Sequence, residues 1–285
     1  MSHFVTSILC FAGINIILAY SLYIVLMTGQ LSLGNAGFMA VGAYVSSIAT
    51  VNFGIPLGLA LFIGGCVAGL LGLIVGIPAL KLKGIYLAMG TLAFGEMTRT
   101  FFLNYEYTGG GLGFRGMIGS TPALVWVIVA VVVFFFYLLA HSRLGLILEG
   151  IGDDEVASRA FGVNAPLLKV ATFGVAGFLA GVAGGLFAHY TFFIEPKQFD
   201  FALSVDIALF AILGGMRSYL GPFLGALLFT ALPEVFRSLT DWRGVAFGTA
   251  LVILLIFRSE GILKRGLLRS TFTKKLFTEE KEPKC

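Results

Sequence analysis

Long unbroken apolar runs, separated by short polar punctuation, dominate the chain. A helix needs roughly 20 apolar residues to cross a bilayer, and on that scale residues 5–28, 56–78, 86–103, 123–140, 170–191 and 242–257 each predict a spanning helix. Residues 33–51 predict another, although Gly34, Gly37 and Gly42 weaken its helical signal. Residues 203–214 and 220–236 are shorter and flank the turn Gly214-Gly215-Met216-Arg217, so they read as two spans or as two half-helices of a broken pair. The expectation is an all-α polytopic bundle of about nine spans, within a range of eight to ten. Strands do not compete, because runs such as VWVIVAVVVFFFYLLA are continuous, whereas membrane barrels alternate over about ten residues.

Composition sharpens this picture. Of 285 residues 58% are hydrophobic and 12% charged, against about 25% charged in a soluble domain. No Asp, Glu, Lys or Arg precedes Lys81. An ordinary soluble enzyme and a disordered chain are both excluded. The N-terminus lacks the basic region of a signal peptide, so the first apolar run is expected to stay as a helix. Cys10, Cys66 and Cys285 have no metal-site or disulfide spacing.

Basic residues set the expected orientation. With nine spans and the tail inside, the inner face receives Lys81, Lys83, Arg143, Arg159, Lys169, Arg217 and the eight Lys/Arg residues of 258–285, fourteen in all. The outer face receives Arg115, Lys197, Arg237 and Arg243. This places the N-terminus outside and the C-terminus inside, dividing the chain into a membrane domain, 1–257, and a basic cytoplasmic tail, 258–285. The tail mixes basic and apolar residues as an anionic lipid surface requires, and nothing points to nucleic acid. Gly65, Gly69, Gly72 and Gly76, and likewise Gly174, Gly177, Gly181 and Gly184, recur at helical spacing and predict faces where another backbone approaches closely.

Three constellations exceed what insertion requires. The 29–37 segment carries Gln30, Ser32 and Asn35 among glycines, and irregular backbone at membrane depth is tolerated only when buried in protein or lining an aqueous cavity. An ordinary interfacial turn is the competing reading. Glu96 and Arg99 share a helix face at i, i+3, and each charge costs roughly 2.5–3.5 kcal/mol at a helix centre. They and Asp206 line a pathway or form structural pairs. The inner loop 141–169 contains a predicted short helix, with Asp153 as N-cap, Asp154 and Glu155 at the positive dipole end, and Gly162 as terminator. Val156, Ala157, Ala160 and Phe161 make an apolar patch, with Arg159 directed elsewhere. A helix this short is unstable alone and must dock, either on a partner or on its own bundle. No phosphate loop, H-E-x-x-H pair or Cys/His cluster occurs, so the sequence offers no catalytic residue, metal site or cofactor site, and energy for pumping would come from elsewhere.

The stretches GQLSLGNAGFMAVGAY, LKGIYLAMGTLAFGEMTR, GDDEVASRAFGVNAPLLKV, AGVAGGLFAHY and ILGGMRSYLGP together resemble permease subunits of bacterial branched-chain amino acid ABC importers, LivM-type more than LivH-type. They recur in the family's order along most of the chain, from residue 29 to about 261. The resemblance implies a non-enzymatic, multi-pass inner-membrane subunit. Its partners would be a second related permease, two ATPase subunits that bind ATP and Mg, and a periplasmic binding protein. It also implies that 153–162 docks on an ATPase. Glu155, Ala157 and Gly162 fit the importer-loop pattern, while Val156 replaces a commoner small residue. Leucine, isoleucine and valine are the default substrates. A urea or amide importer and an ion-coupled secondary transporter with broken helices are the alternatives.

Overall fold

The computed structural model describes residues 2–117, 119–216 and 218–235, together with Gly248. The expected span at 242–257, Arg217 and the tail 258–285 lie outside the described residues. Among the described residues are ten α-helices and three short 3-10 helices. The first five are α1 (Ser2–Leu26), α2 (Asn35–Val51), α3 (Leu57–Ala79), α4 (Ile85–Asn104) and α5 (Pro122–Ala140). They are followed by α6 (Arg143–Asp153), α7 (Glu155–Ala160), α8 (Ala165–Thr191), α9 (Phe201–Gly215) and α10 (Gly221–Val235). The sequence expectation of an all-α membrane bundle holds. Among the described residues, five helices are long and apolar enough to cross a membrane: Phe4–Leu26, Leu57–Ala79, Pro122–Ala140, Ala165–Thr191 and Pro196–Gly215.

Helix ends follow from local chemistry. Pro122 and Pro166 fall in the first turns of α5 and α8, where a missing N–H costs nothing. Asn164 and Asp200 accept the Leu167 and Leu203 amides and so cap α8 and α9. Helices α9 and α10, 15 residues and therefore about 22 Å each, form a tight hairpin. A Cβ at Gly225 would stand 2.0 Å from the Phe210 carbonyl oxygen.

The two glycine faces read from the sequence meet each other at the centre of the bundle. A Cβ on Gly72 would lie 2.3 Å from the Phe173 carbonyl, and one on Gly177 would lie 2.4 Å from that of Ala68. Helix α2 closes on both, where a Cβ on Gly42 would lie 2.2 Å from Gly181 of α8 and one on Gly64 of α3 would lie 2.8 Å from the Gly42 carbonyl oxygen. Helices α2, α3 and α8 thus touch backbone to backbone, the packing available where lipid removes the hydrophobic drive between helices. Around them α1 is mostly buried from Cys10 onward, while α3 and α5 turn large apolar side chains outward, including Ile74, Val127, Val131 and Phe134.

The bundle has two distinct ends. At one, the turn after α1 meets α6 through Gly29 and Gly152, and His141 approaches Tyr219. At the other, Asn52 bonds Tyr107, and two-residue strands, β1 (Phe114–Arg115) and β2 (Phe193–Ile194), pair antiparallel. The Arg115 guanidinium lies 4.9 Å from the centre of the Phe193 ring.

Candidate pathway and coupling sites

The first site is the break between α1 and α2. Helix α1 ends in a turn closed by Gly29, whose φ of +73° suits a residue without a Cβ. The chain then runs without helical structure through residues 30–34 and re-enters the bundle, since Asn35 reaches Ser21, more than a turn back from the end of α1. Thr28, Gln30, Ser32 and Asn35 are all buried, at 5% exposure or less. The side chains of Gln30, Ser32 and Asn35 are thus enclosed in protein, while Gly29 at the start of the segment is exposed.

Burial obliges this segment to satisfy its polar groups, because an unpaired one costs about 1–3 kcal/mol. The Leu33 amide donates to Thr91 Oγ1 of α4 at 2.9 Å, and the Gly34 amide donates to Ser32 Oγ at 3.2 Å. Thr28 Oγ1 lies 3.2 Å from Gln30 Oε1, and Asn35 Nδ2 donates to Ser21 Oγ at 2.7 Å. Asn35 Oδ1 is buried with no partner among the described residues. Ser21, on the helix just before the segment, and Thr91, on α4, were not identified from the sequence. Single hydroxyls inside apolar runs give no signal until their neighbours are known.

Helix α4 carries the second feature. Arg99 Nη1 donates to Glu96 Oε2 at 2.7 Å, and about a third of each side chain is exposed, 34% and 37%. Glu96 also borders a crevice between α2, α4 and α9, together with Ala36, Asp200 and Ser204. Asp206 stands half-buried on α9 beyond that crevice. The structure therefore joins Glu96 to Arg99 and places Asp200 near Glu96. It does not bring Asp206, Gln30, Ser32 or Asn35 into hydrogen bonds with that pair. Asp200 could have been noticed as a cap three residues before Leu203.

At the end of the bundle where α1 finishes, the loop 141–169 contains two helices where one was expected. Ser142 caps α6 by accepting the Gly145 amide at 3.2 Å, and Leu148 and Ile151 bury its inner face. Asp153 is the last residue of α6 and is not the N-cap of the next helix. That role belongs to Asp154, whose Oδ1 accepts the amides of Val156 and Ala157 at 2.9 and 3.0 Å. Helix α6 continues through Gly152, which is seated on the turn after α1, so the extended capping geometry falls one residue later, at Asp154. Helix α7 is six residues long, against the longer helix expected, and Gly162 follows it with φ +82°.

Helix α7 is held from one side only. Glu155 receives hydrogen bonds from Lys169 of α8 and from Arg159 one turn on. The Lys169 bond, helped by Arg159, holds the Glu155 carboxyl below the usual carboxylate range against a smaller effect of burial. No residue of α7 is buried. Val156 is 78% exposed and Phe161 88%, with Ala157 and Ala160 exposed beside them. The chain therefore presents an apolar patch on a rigidly capped, ion-paired helix.

Comparison with known proteins agrees with this architecture. Residues 4–258 match the family model described as branched-chain amino acid transport system / permease component. The high-affinity branched-chain amino acid transport system permease protein LivM of Escherichia coli K12 is 31% identical over 88% of this chain and 68% of its own length. The ribose import permease protein RbsC of the same strain is 25% identical over 76% of this chain and 72% of its own. The autoinducer 2 import system permease protein LsrC of E. coli K12 DH10B is 27% identical over 92% and 82%. No solved structure matches significantly. With a family match along nearly its whole length and a multi-pass helical bundle to go with it, the chain belongs to the permease-component family of branched-chain amino acid transport systems.

Proposed function

We propose that this permease forms one half of a translocation pathway for leucine, isoleucine and valine across a bacterial inner membrane. A second, related permease supplies the other half, two cytoplasmic ATPase subunits bind ATP and Mg, and a periplasmic binding protein delivers substrate. In this reading the end bearing α6 and α7 faces the cytoplasm, as the basic-residue bias requires. The likeness to LivM, against weaker likeness to ribose and autoinducer permeases, favours branched-chain amino acids as cargo.

One observation carries the assignment of coupling: α7 is a capped helix with Val156 and Phe161 almost fully exposed. Side chains of this kind, outside the membrane and beside a bundle that leaves them uncovered, fit a groove on a partner. Phe161 is the anchor, because buried aromatics carry a large share of interface energy. Asp154, Glu155 and Arg159 form the polar rim. Glu96 and Arg99 support the pathway part of the reading. An ion pair that is one-third exposed is costly against lipid, and it is accommodated against water or protein.

The test uses the assembled transporter in proteoliposomes. Ala157→Glu and Phe161→Ala should leave this chain inserted and at normal levels. Both should lower ATPase copurification and abolish the stimulation of ATP hydrolysis by substrate-loaded binding protein. Full stimulation in both variants would remove α7 from the coupling role.

A further inference from the structure

We infer that the seat of Gly152 on the turn after α1 is a transmission joint, through which the cytoplasmic helix pair moves α4 by way of residues 30–37. The inference rests on α7 being the ATPase contact. Its own evidence is a continuous series of backbone contacts made at glycines.

The series begins at α6. A Cβ on Gly152 would stand 2.4 Å from the Met27 carbonyl oxygen and 3.2 Å from the Gly29 nitrogen. Reciprocally, a Cβ on Gly29 would stand 3.2 Å from the Gly152 carbonyl. No side chain therefore separates the two backbones. Helix α7 continues directly from α6, with the Asp154 amide bonded to the Gly150 carbonyl at 2.9 Å and the Ser158 amide to that of Asp154 at 3.1 Å. A displacement of α7 thus arrives at Gly152 without a flexible linker in between.

From Gly29 the non-helical segment leads to α4. The Leu33 amide holds Thr91 Oγ1, and a Cβ on Gly34 would lie 2.9 Å from the Thr91 carbonyl. A Cβ on Gly37 would lie 2.9 Å from the Gly95 Cα, one residue before Glu96. Contacts between side chains absorb small shifts by changing rotamer. Contacts between close-packed backbones have no such slack, so they pass a shift on. A backbone path from α7 therefore runs through residues 27–37 to the helix that carries Glu96 and Arg99.

The experiment places a fluorophore on Met97→Cys, on the exposed side of α4, in a chain lacking Cys10, Cys66 and Cys285. The assembled transporter is reconstituted with its ATPases and binding protein. The label should respond to ATP in the parent. In Gly152→Val that response should disappear, and the ratio of stimulated to basal ATP hydrolysis should fall about tenfold. Basal hydrolysis and ATPase copurification should stay at parent values, while thermal stability should fall, as a Cβ 2.4 Å from the Met27 carbonyl requires. Should Gly152→Val not accumulate, Gly152→Ala, which adds one methyl group, is read by the same criteria. A full response of the label in the variant, or no response in the parent, overturns the joint while leaving the α7 assignment standing. Loss of copurified ATPase in a stable Gly152 variant overturns it too, because Gly152 would then belong to the docking surface.

Discussion

Neutralising Glu96 and Arg99 singly and together separates what the pair does for stability from what it does for transport. Unpaired, each charge costs roughly 2.5–3.5 kcal/mol at the centre of a membrane helix, so the two together cost about 5–7. The hydrogen-bonded contact at 2.7 Å returns part of this. Two charges 4 Å apart attract by about 4 kcal/mol at an effective dielectric of 20, and a third of each side chain is exposed, which reduces the return to about 1–3 kcal/mol. Glu96→Gln strands Arg99, and Arg99→Gln strands Glu96. Each single variant should therefore lower the melting temperature in detergent, and the double variant should recover at least half of the loss. A double-mutant cycle on those melts gives the coupling energy directly. If the pair lines the proposed pathway, uptake by the assembled transporter should remain defective in the double variant, because restored stability does not restore the lost charges. A coupling energy below about 0.5 kcal/mol would refute the ion-pair argument. Normal uptake in the double variant would refute the pathway argument and leave a purely structural pair.

Two further outcomes follow from the packing and from the anchor of α7. Gly184→Ala, which puts a Cβ 2.0 Å from the Met39 carbonyl, should destabilise the chain by about 3 kcal/mol in thermal unfolding. Gly58→Ala, with nothing within 4 Å, should be neutral or stabilise by up to about 1 kcal/mol. Equal melting of the two would mean that α2 and α8 are not in backbone contact. The depressed Glu155 carboxyl contributes stability that is fully present above the ordinary carboxylate range and is lost as pH falls below it. Amide-exchange protection of α7 should accordingly be flat through neutral pH and fall only in acid, and Glu155→Gln should abolish that acid dependence.

The parts of this molecule legible in its sequence are those dictated by the solvent. An apolar run such as 123–140 has one stable form in a bilayer, so α5 appears within a residue of its expected start. The glycine periodicities on α3 and α8 were equally plain as close-approach faces, but periodicity does not say which faces meet; only the fold pairs Gly72 with Phe173 and Gly177 with Ala68. The same limit applies at the sites. Gln30, Ser32 and Asn35 stood out as polar residues in an apolar context. The anchors of this segment, Ser21 for Asn35 and Thr91 for the Leu33 amide, did not, because one hydroxyl can bond its own helix backbone and remain unremarkable. Helix α6 carries no clear sequence signal, because Gly145, Gly150 and Gly152 lower its helix propensity. Gly152 is set by the space it leaves for Met27, Gly145 by the Leu139 carbonyl that a Cβ would meet at 2.1 Å. The capping assignment failed for the same reason. Asp153 and Asp154 are chemically equal candidates, and the contact at Gly152, 123 positions from Gly29 along the chain, extends α6 far enough to select the second. In this bundle the residues that mark a weak helix locally are those that fix how helices bear on one another. A position that looks like a loop by propensity is therefore the place to look for a mechanical contact.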